Sequence, residues 1–335
     1  MAPKSEANRP TLEAVAARAG VSKSSVSRVI NGASTVAPSI REVVLRAVRE
    51  LGYVPHAAAR HLATRRTDAV ALVVSDPPKG LVSDDPMFSA VVRQASRKLE
   101  AAGKQVVLML AGSEESRARV SQYVAAGHVD GVMLVSMHGA DSLPATLARK
   151  GLPVVSLGRT NPAVPHAEND NPGGAALAVH HLLGQGRRRI ATITGPLDMI
   201  ASQERLTAYT DVMRDTGHRS IVALGDFTRV SGADAMRQLL QDDPRLDAVF
   251  AANDLMAIGA LRTLRESGRR VPDDVAVIGF DDIEAARYTS PALTTIHSPM
   301  TDWATATVDL LLGLFDGGPD APVLLPANLV VRESA

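Results

Sequence analysis

The alternation of short apolar runs with longer amphipathic segments, from Arg66 to about residue 280, leaves few folds open to this sequence. The spacing is that of βαβ units, in which helices join parallel strands. Strands are predicted at 69–75, 105–110, 131–136, 153–157, 190–194, 220–224, 248–252 and 275–280. Helices are predicted at 88–102, 114–126, 173–183, 204–215, 232–241 and 254–268. Two groups of four strands indicate an α/β body of two doubly wound parallel-sheet lobes.

Charge is divided unevenly along the chain, although the formal net charge is zero. Residues 1–66 contain 11 Lys and Arg against 4 Asp and Glu, whereas the remainder contains 25 against 32. This asymmetry is typical of a small polyanion-binding head on a larger acidic body. A solvated basic tail is the alternative that charge alone leaves open.

The order of residues in the basic segment favours a folded, all-α head. Residues 11–19 place apolar side chains on one helical face, with Thr11 as the N-cap and Gly20 as the stop. Ser22 is suited to cap a second helix, which ends before Gly32, and a third helix is predicted over 38–51. Two short helices joined by a tight turn form a helix-turn-helix, which fits the major groove of DNA.

The same residues closely resemble the lactose-repressor (LacI/GalR) family of bacterial regulators. The resemblance rests on residues 11–32, which read TLEAVAARAGVSKSSVSRVING, and on 50–55 and 59–60. It implies that base edges are contacted by Lys23, Ser24 and Arg28. It also implies that phosphates are contacted by Ser22, Ser25 and Asn31. An Arg side chain can donate two hydrogen bonds to guanine, which discriminates by about 1–3 kcal/mol.

Residues 56–63 form a helix-prone stretch that is too short to be stable alone in water. In the family, the equivalent hinge helices pair on DNA and insert a leucine into the minor groove, and Leu62 is the match. Such an apolar wedge unstacks a base step and bends the duplex; packing of Leu62 against the protein is the alternative. His56 stands where the family usually has Asn, and it is either a further phosphate contact or a neutral replacement.

The resemblance extends almost to the C-terminus, through motifs at 85–88, 168–171, 204–205, 252–254 and 277–282. It implies a body of the periplasmic-binding-protein type. The expected domains are a helix-turn-helix at 1–54, a hinge at 55–66 and an effector-binding and dimerisation core at 67–335. Within that core, lobe 1 is expected at about 67–168 and 298–324, and lobe 2 at about 169–297 and 325–335.

Polar residues lie at or soon after the predicted strand ends, where open parallel sheets bind their ligands. These residues are Asp76, Asp170, Arg205, Asn253 and Asp281. Carboxylates, an amide and a guanidinium suit hydrogen bonds to a polyhydroxylated small molecule. Helix capping is the alternative for each residue alone, notably for Asp170 and for Asp254, which follows Asn253. The resemblance adds Phe227, expected to stack on a sugar ring, and Phe88, expected to line the other lobe.

Several classes of function are excluded or disfavoured. The chain has no Cys, so disulfides and thiolate chemistry are excluded. It contains no phosphate-binding glycine motif and no nucleophile–base pattern. We therefore expect no enzymatic activity, no cofactor and no metal site. No apolar run is long enough to cross a membrane, and the N-terminus does not resemble a signal peptide, so a cytoplasmic location is expected.

Taken together, the residues and the resemblance predict a transcriptional regulator, more often a repressor in this family. It is expected to bind a palindromic operator in double-stranded DNA as a homodimer. A small polar effector, sugar-like by its predicted contacts, is expected to control that binding allosterically. A solute-binding protein without a transcriptional role is the alternative, but it would have no use for the basic head.

Overall fold

The computed structural model describes residues 10–30, 33, 35–53, 66–75, 86–139, 141–160 and 164–335. The residues of the predicted sites that lie outside these ranges are Asn31, His56, Leu62 and Asp76. The chain divides into two compact units, Met1–Asp68 and Ala69–Ala335. The first contains the basic segment and the second contains the α/β body.

Three helices form the described part of the N-terminal unit: α1 Leu12–Ala19, α2 Lys23–Ile30 and α3 Pro38–Leu51. The predicted caps are confirmed, because the Ala14 amide donates to Thr11 Oγ1 (3.2 Å) and the Ser25 amide donates to Ser22 Oγ (3.1 Å). The apolar faces of the three helices meet in a core of Val15, Ala16, Ala19, Val26, Val29, Val44 and Ala47. This packing leaves the polar face of α2 exposed.

The body contains two sheets, each with six strands among the described residues. The strands of the first sheet are β1 Ala69–Ser75, β2 Gln105–Ala111, β3 Gly131–Val135, β4 Val154–Leu157, β5 His166–Asn169 and β11 Val323–Leu325, in the order β11-β5-β4-β3-β1-β2. Those of the second are β6 Ile190–Thr194, β7 Ile221–Leu224, β8 Ala248–Ala251, β9 Ala276–Asp281, β10 Thr294–His297 and β12 Asn328–Val330, in the order β12-β10-β9-β8-β6-β7. All neighbours are parallel except β10 and β12. We call the two sheets with their helices lobe 1 and lobe 2.

Helices cover both faces of each sheet, which confirms the doubly wound fold. Lobe 1 has α4 Pro86–Ala101 and α11 Met300–Phe315 on one face, and α5 Glu114–Ala125 and α6 Leu143–Ala148 on the other. Lobe 2 has α7 Asn171–Gly184 and α8 Ile200–Asp215 on one face, and α9 Arg229–Asp242 and α10 Asp254–Glu266 on the other. In the part of the chain described here, no helix is both long and apolar enough to cross a bilayer.

The prediction of four strands in each lobe was wrong, because each sheet has six strands within the described part of the chain. The additional strands β5, β10, β11 and β12 are only three or four residues long, and β5 contains a single apolar residue, Ala167. Two boundaries also bear on the site. The helix predicted from residue 204 begins at Ile200, so Arg205 lies within it, and Asp281 is the last residue of its strand.

The chain passes three times between the two sheets, after β5, after β10 and after β11. Such multiple connections are typical of lobes that open and close about a hinge. Because the strands of each sheet are largely parallel, their carboxyl ends lie at one edge. Residues that follow these ends are therefore positioned to form a site between the lobes.

Candidate functional site

The exposed face of α2 carries most of the predicted DNA-contacting side chains that the structure describes. Ser22, Lys23, Ser24 and Arg28 are exposed, and Ser25 is half-buried. The residues between them, Val26 and Val29, are buried in the core. The helix therefore presents short hydroxyls and two cations to solvent, which is the chemistry needed to contact phosphates and base edges.

Lys23 has a partner that the sequence analysis missed. Its ammonium forms an ion pair with the carboxylate of Glu13 on α1, and both side chains are more than 60% exposed. The hydrogen bond from Lys23 lowers the pKa of Glu13. A base contact by Lys23 requires that it leave this partner, at a small cost because exposed ion pairs are weak.

Arg205 is a buried cation of lobe 2, with only 6% of its surface exposed. Its Nε donates to Asn171 Oδ1 (3.0 Å) and its Nη1 donates to the Ala252 carbonyl (2.5 Å). The guanidinium lies 3.6 Å from the centre of the Phe280 ring, which is a cation–π distance. Burial lowers the pKa of Arg205, whereas the nearby carboxylates, with Asp281 first, oppose that shift. Arg205 therefore stays charged and rigidly oriented beside Asp281.

Asn253 and Phe227 form a second pair in lobe 2. Asn253 Oδ1 accepts from the Met256 amide (2.9 Å), which caps α10, and Asn253 Nδ2 donates to the Phe227 carbonyl (3.0 Å). Phe227 has a φ of 69°, in the left-handed region that non-glycine residues rarely adopt. Its ring packs so closely on Gly195 that a Cβ there would lie 2.2 Å from the ring. Asn253 therefore holds the backbone of the predicted stacking residue.

The turn after β9 is held in an unusual conformation. Asp281 and Asp282 have φ values of 110° and 53°, and such backbone costs of order 1–3 kcal/mol per residue. Asp254 stabilises the turn, because its Oδ2 accepts from the Ile283 amide (2.9 Å) and its Oδ1 accepts from Thr295 Oγ1 (2.5 Å). Burial and then the charge of Asp281 raise the pKa of Asp254 well above its ordinary value.

A cavity of about 320 Å³ lies between the lobes beside this turn. Its lining includes Pro86 from α4 of lobe 1, Asp281 and Glu284 from lobe 2, and Met300 at the start of α11. The volume is within the range of small-ligand sites, and the lining combines apolar surface with carboxylates. The cavity can hold a molecule with several hydroxyl groups.

The predicted effector residues that the structure describes fall into two groups. Two pairs lie at the carboxyl edge of lobe 2, Arg205 beside Asp281 and Asn253 with Phe227, and Asp281 is the member of these pairs that lines the cavity. Asp170 serves as the N-cap of α7, since its Oδ1 accepts from the Gly173 amide (2.8 Å), as the capping alternative predicts. Phe88 is half-buried and packs against the core of lobe 1.

Other residues of the site escaped the sequence analysis. Asn171 and Glu204 form hydrogen bonds with each other and with neighbours in both lobes. A cue was present for each, because Asn171 follows Asp170 and Glu204 precedes Arg205. Within the described ranges, five buried side-chain oxygens lack a hydrogen-bond partner, and they belong to Ser156, Glu168, Asn169, Thr194 and Ser202. The same ranges contain no cluster of three His or acidic residues arranged for a metal ion.

A helix-turn-helix unit and a two-lobed body with a polar cleft define a class of ligand-responsive DNA-binding regulators. Residues 11–56 match the family described as "Bacterial regulatory proteins, lacI family", and residues 179–335 match "Periplasmic binding protein-like domain". The HTH-type transcriptional regulator CelR of Thermobifida fusca is 46% identical over 97% of this chain and 98% of its own length. The regulator AscG of Escherichia coli is 34% identical over 97% and 98%.

Solved structures agree with these matches. The structure titled "transcriptional regulator CelR-cellobiose complex" is 44% identical, covers 98% of this chain and 100% of its own, and has a TM-score of 0.76. A lac repressor dimer bound to operator and the anti-inducer ONPF is 29% identical, covers 98% and 99%, and has a TM-score of 0.85. This chain belongs to the lacI family of bacterial regulatory proteins. It is a DNA-binding transcriptional regulator.

Proposed function

We propose that this protein is a repressor that binds a palindromic operator as a homodimer and responds to cellobiose or a closely related β-linked glucoside. The observation that carries the choice of sugar is the 44% identity, over the full length, to a regulator solved with cellobiose. The operator-bound lac repressor dimer supports the choice of DNA and dimer. We further propose a cytoplasmic location and no catalytic activity.

The chemistry of the cleft supports a sugar effector. Asp281 and Arg205 offer an acceptor and donors for vicinal hydroxyls, and Phe227 offers an aromatic face for the apolar side of a pyranose ring. We propose these three residues as direct effector contacts, with Asn253 acting through Phe227. Phe88, Asp170 and Asp76 remain proposed effector contacts, although Asp76 lies outside the described residues.

We propose that the DNA contacts follow the family pattern on α2. Lys23, Ser24 and Arg28 contact base edges, while Ser22, Ser25 and Asn31 contact phosphates. His56 and Leu62 are proposed for the hinge contacts. The exposed positions of Lys23 and Arg28 on α2 support the first part of this assignment.

The DNA assignment is tested by selecting duplexes from a random library with the wild type and with Arg28→Ala. We expect a palindromic consensus for the wild type. Arg28→Ala is expected to lose about 1–3 kcal/mol and to relax one base pair in each half-site. Equal weakening on all sequences would make Arg28 a phosphate contact, and failure to enrich any duplex would refute the proposed function.

The sugar assignment is tested by calorimetric titration with cellobiose and with maltose, the α-linked isomer, as the matched control. We expect cellobiose to bind and maltose to bind far more weakly, because the two rings are joined at different angles. Arg205→Met is expected to abolish cellobiose binding while leaving duplex binding intact. Binding of maltose as tight as that of cellobiose would contradict this choice of effector.

A further inference from the structure

Arg159 bridges the two lobes. It follows β4 in lobe 1, and its side chain is 45% exposed. Its Nη2 lies 2.6 Å from Glu168 Oε1 on β5 of the same lobe, and its Nη1 lies 3.2 Å from Glu204 Oε1 on α8 of lobe 2. The hydrogen bond to Glu168 raises the pKa of Arg159. One guanidinium thus forms an ion pair on each side of the lobe boundary.

The contact with Glu204 continues into the effector site. Glu204 Oε2 accepts from Asn171 Nδ2 (3.1 Å), and Asn171 Oδ1 accepts from Arg205 Nε (3.0 Å). Each of these side chains therefore has its orientation set by the next. A change in the position of Arg159 relative to α8 is transmitted to the guanidinium of Arg205, which has the Phe280 ring beneath it and little freedom to compensate.

Lobe 1 also holds the chain just before α8. The Gly139 amide donates to the Asp198 carbonyl (2.7 Å), and His138 Nδ1 lies 2.6 Å from Asp198 Oδ2. Lobe 1 therefore contacts the segment 198–205 of lobe 2 near both of its ends. A change in the angle between the lobes would therefore have to break or rearrange at least one of these contacts.

We propose that Arg159 is a positioning residue that couples effector binding at Arg205 to the angle between the lobes. This inference rests on the proposed function, in which the effector controls DNA binding, and it assigns that control to the angle between the lobes. Arg159 lies outside the set of proposed sugar contacts. Its loss removes the ion pair that joins it to Glu204 across the lobe boundary, while the contacts of lobe 2 with the sugar remain.

The test compares Arg159→Met, which keeps much of the aliphatic stem, with the wild type of the full chain. The operator affinity is measured with and without saturating cellobiose, and the ratio is the coupling factor. Allosteric coupling factors are about 5–150-fold, and we expect Arg159→Met to reduce the factor at least threefold. Arg159→Lys is expected to restore part of the coupling factor, because Lys keeps the positive charge. The restoration is incomplete, because an ammonium cannot make the forked contact with both carboxylates.

Two controls separate positioning from a general structural effect. Arg214→Met removes an arginine from α8, the helix that carries Glu204. The ion pairs of Arg214, with Asp211 and Asp215, lie at the C-terminal end of that helix. This variant should leave the coupling factor unchanged. The double variant Arg159→Met with Glu204→Gln should lower the coupling factor no further than Arg159→Met alone, because both substitutions break the same ion pair between Arg159 and Glu204.

A measurement without sugar distinguishes failure of this inference from failure of the proposed effector. Arg159→Met should speed hydrogen exchange of the Gly139 amide at least threefold, whereas Arg214→Met should not. If the wild type responds to cellobiose, an unchanged coupling factor in Arg159→Met overturns the inference. If the operator affinity of the wild type does not change with cellobiose, the choice of sugar is wrong. In that case, a Gly139 exchange rate in Arg159→Met equal to that of the wild type overturns the inference by itself.

Discussion

Replacing Asn253 with Asp separates the two hydrogen bonds that the side-chain amide of Asn253 makes, one to the cap of α10 and one to Phe227. In the wild type, Oδ1 accepts from the Met256 amide at 2.9 Å and Nδ2 donates to the Phe227 carbonyl at 3.0 Å. Asp keeps the acceptor that caps α10, but it loses the donor and places a carboxylate against the carbonyl oxygen. The substitution therefore acts mainly on Phe227 and leaves the helix cap in place.

The magnitude follows from the contacts that are lost. A hydrogen bond of this kind contributes about 1 kcal/mol, and this partly buried carbonyl, left without its donor, costs about 1–2 kcal/mol. The left-handed backbone of Phe227 stores a further ~1–2 kcal/mol, which favours relaxation once the bond is gone. We expect Asn253→Asp to lower the unfolding free energy by about 2–3 kcal/mol, to lower the Tm by roughly 5 °C, and to weaken cellobiose binding about tenfold.

Thermal unfolding and calorimetric titration with cellobiose measure the two effects. Asn253→Ser is the control, because Ser also caps helices well and lacks the donor but adds no charge; it should weaken sugar binding less than Asp does. Wild-type sugar affinity in an Asn253→Asp protein with a lowered Tm would show that Phe227 is held independently of Asn253, and the reasoning would be refuted.

Four further outcomes are expected. Thr194→Val should raise the unfolding free energy in urea by about 1 kcal/mol, because its hydroxyl has no partner among the described residues. Thr192→Val on the same strand should lower that free energy by about 1 kcal/mol, since its hydroxyl donates to the Phe250 carbonyl (3.0 Å); the opposite order would contradict both. Burial raises the pKa of Tyr209 to about 12. About 3 kcal/mol of the unfolding free energy is therefore present below pH 10 and lost as the pH rises towards 12. Tyr209→Phe should flatten this alkaline loss of stability, and a pH profile unchanged by the substitution would argue against this assignment. Glu13→Gln should tighten duplex binding by freeing Lys23, and weaker binding in an anisotropy titration would count against that competition.

Much of the fold is accessible from the sequence because its strands and helices carry strong periodic patterns. The eight predicted strands are apolar runs, six of them largely buried, and all are present within a residue or two. The missed strand β5 reads His-Ala-Glu-Asn, and β11 and β12 have three residues each. Such strands are defined by the neighbours to which they pair, so their own residues carry little signal.

The site is less accessible because roles depend on partners far away in the sequence. Residue type and place near a strand end made Arg205 and Asp281 predicted effector contacts, and the structure places the two residues near each other. They did not reveal that Asn253 holds Phe227, 26 positions away. Nor did they reveal that Arg159 meets Glu204, because that contact requires two separately folded lobes to be set side by side.

The most direct test of the central claim is a thermodynamic cycle on the full chain. The dissociation constant for cellobiose is measured with the protein free and with it saturated by its selected operator, at one salt concentration. We predict that operator changes sugar affinity by the same factor as sugar changes operator affinity, between about 5-fold and 150-fold. Equal sugar affinity of the free and the DNA-bound protein, in a chain that binds both ligands, would contradict the account.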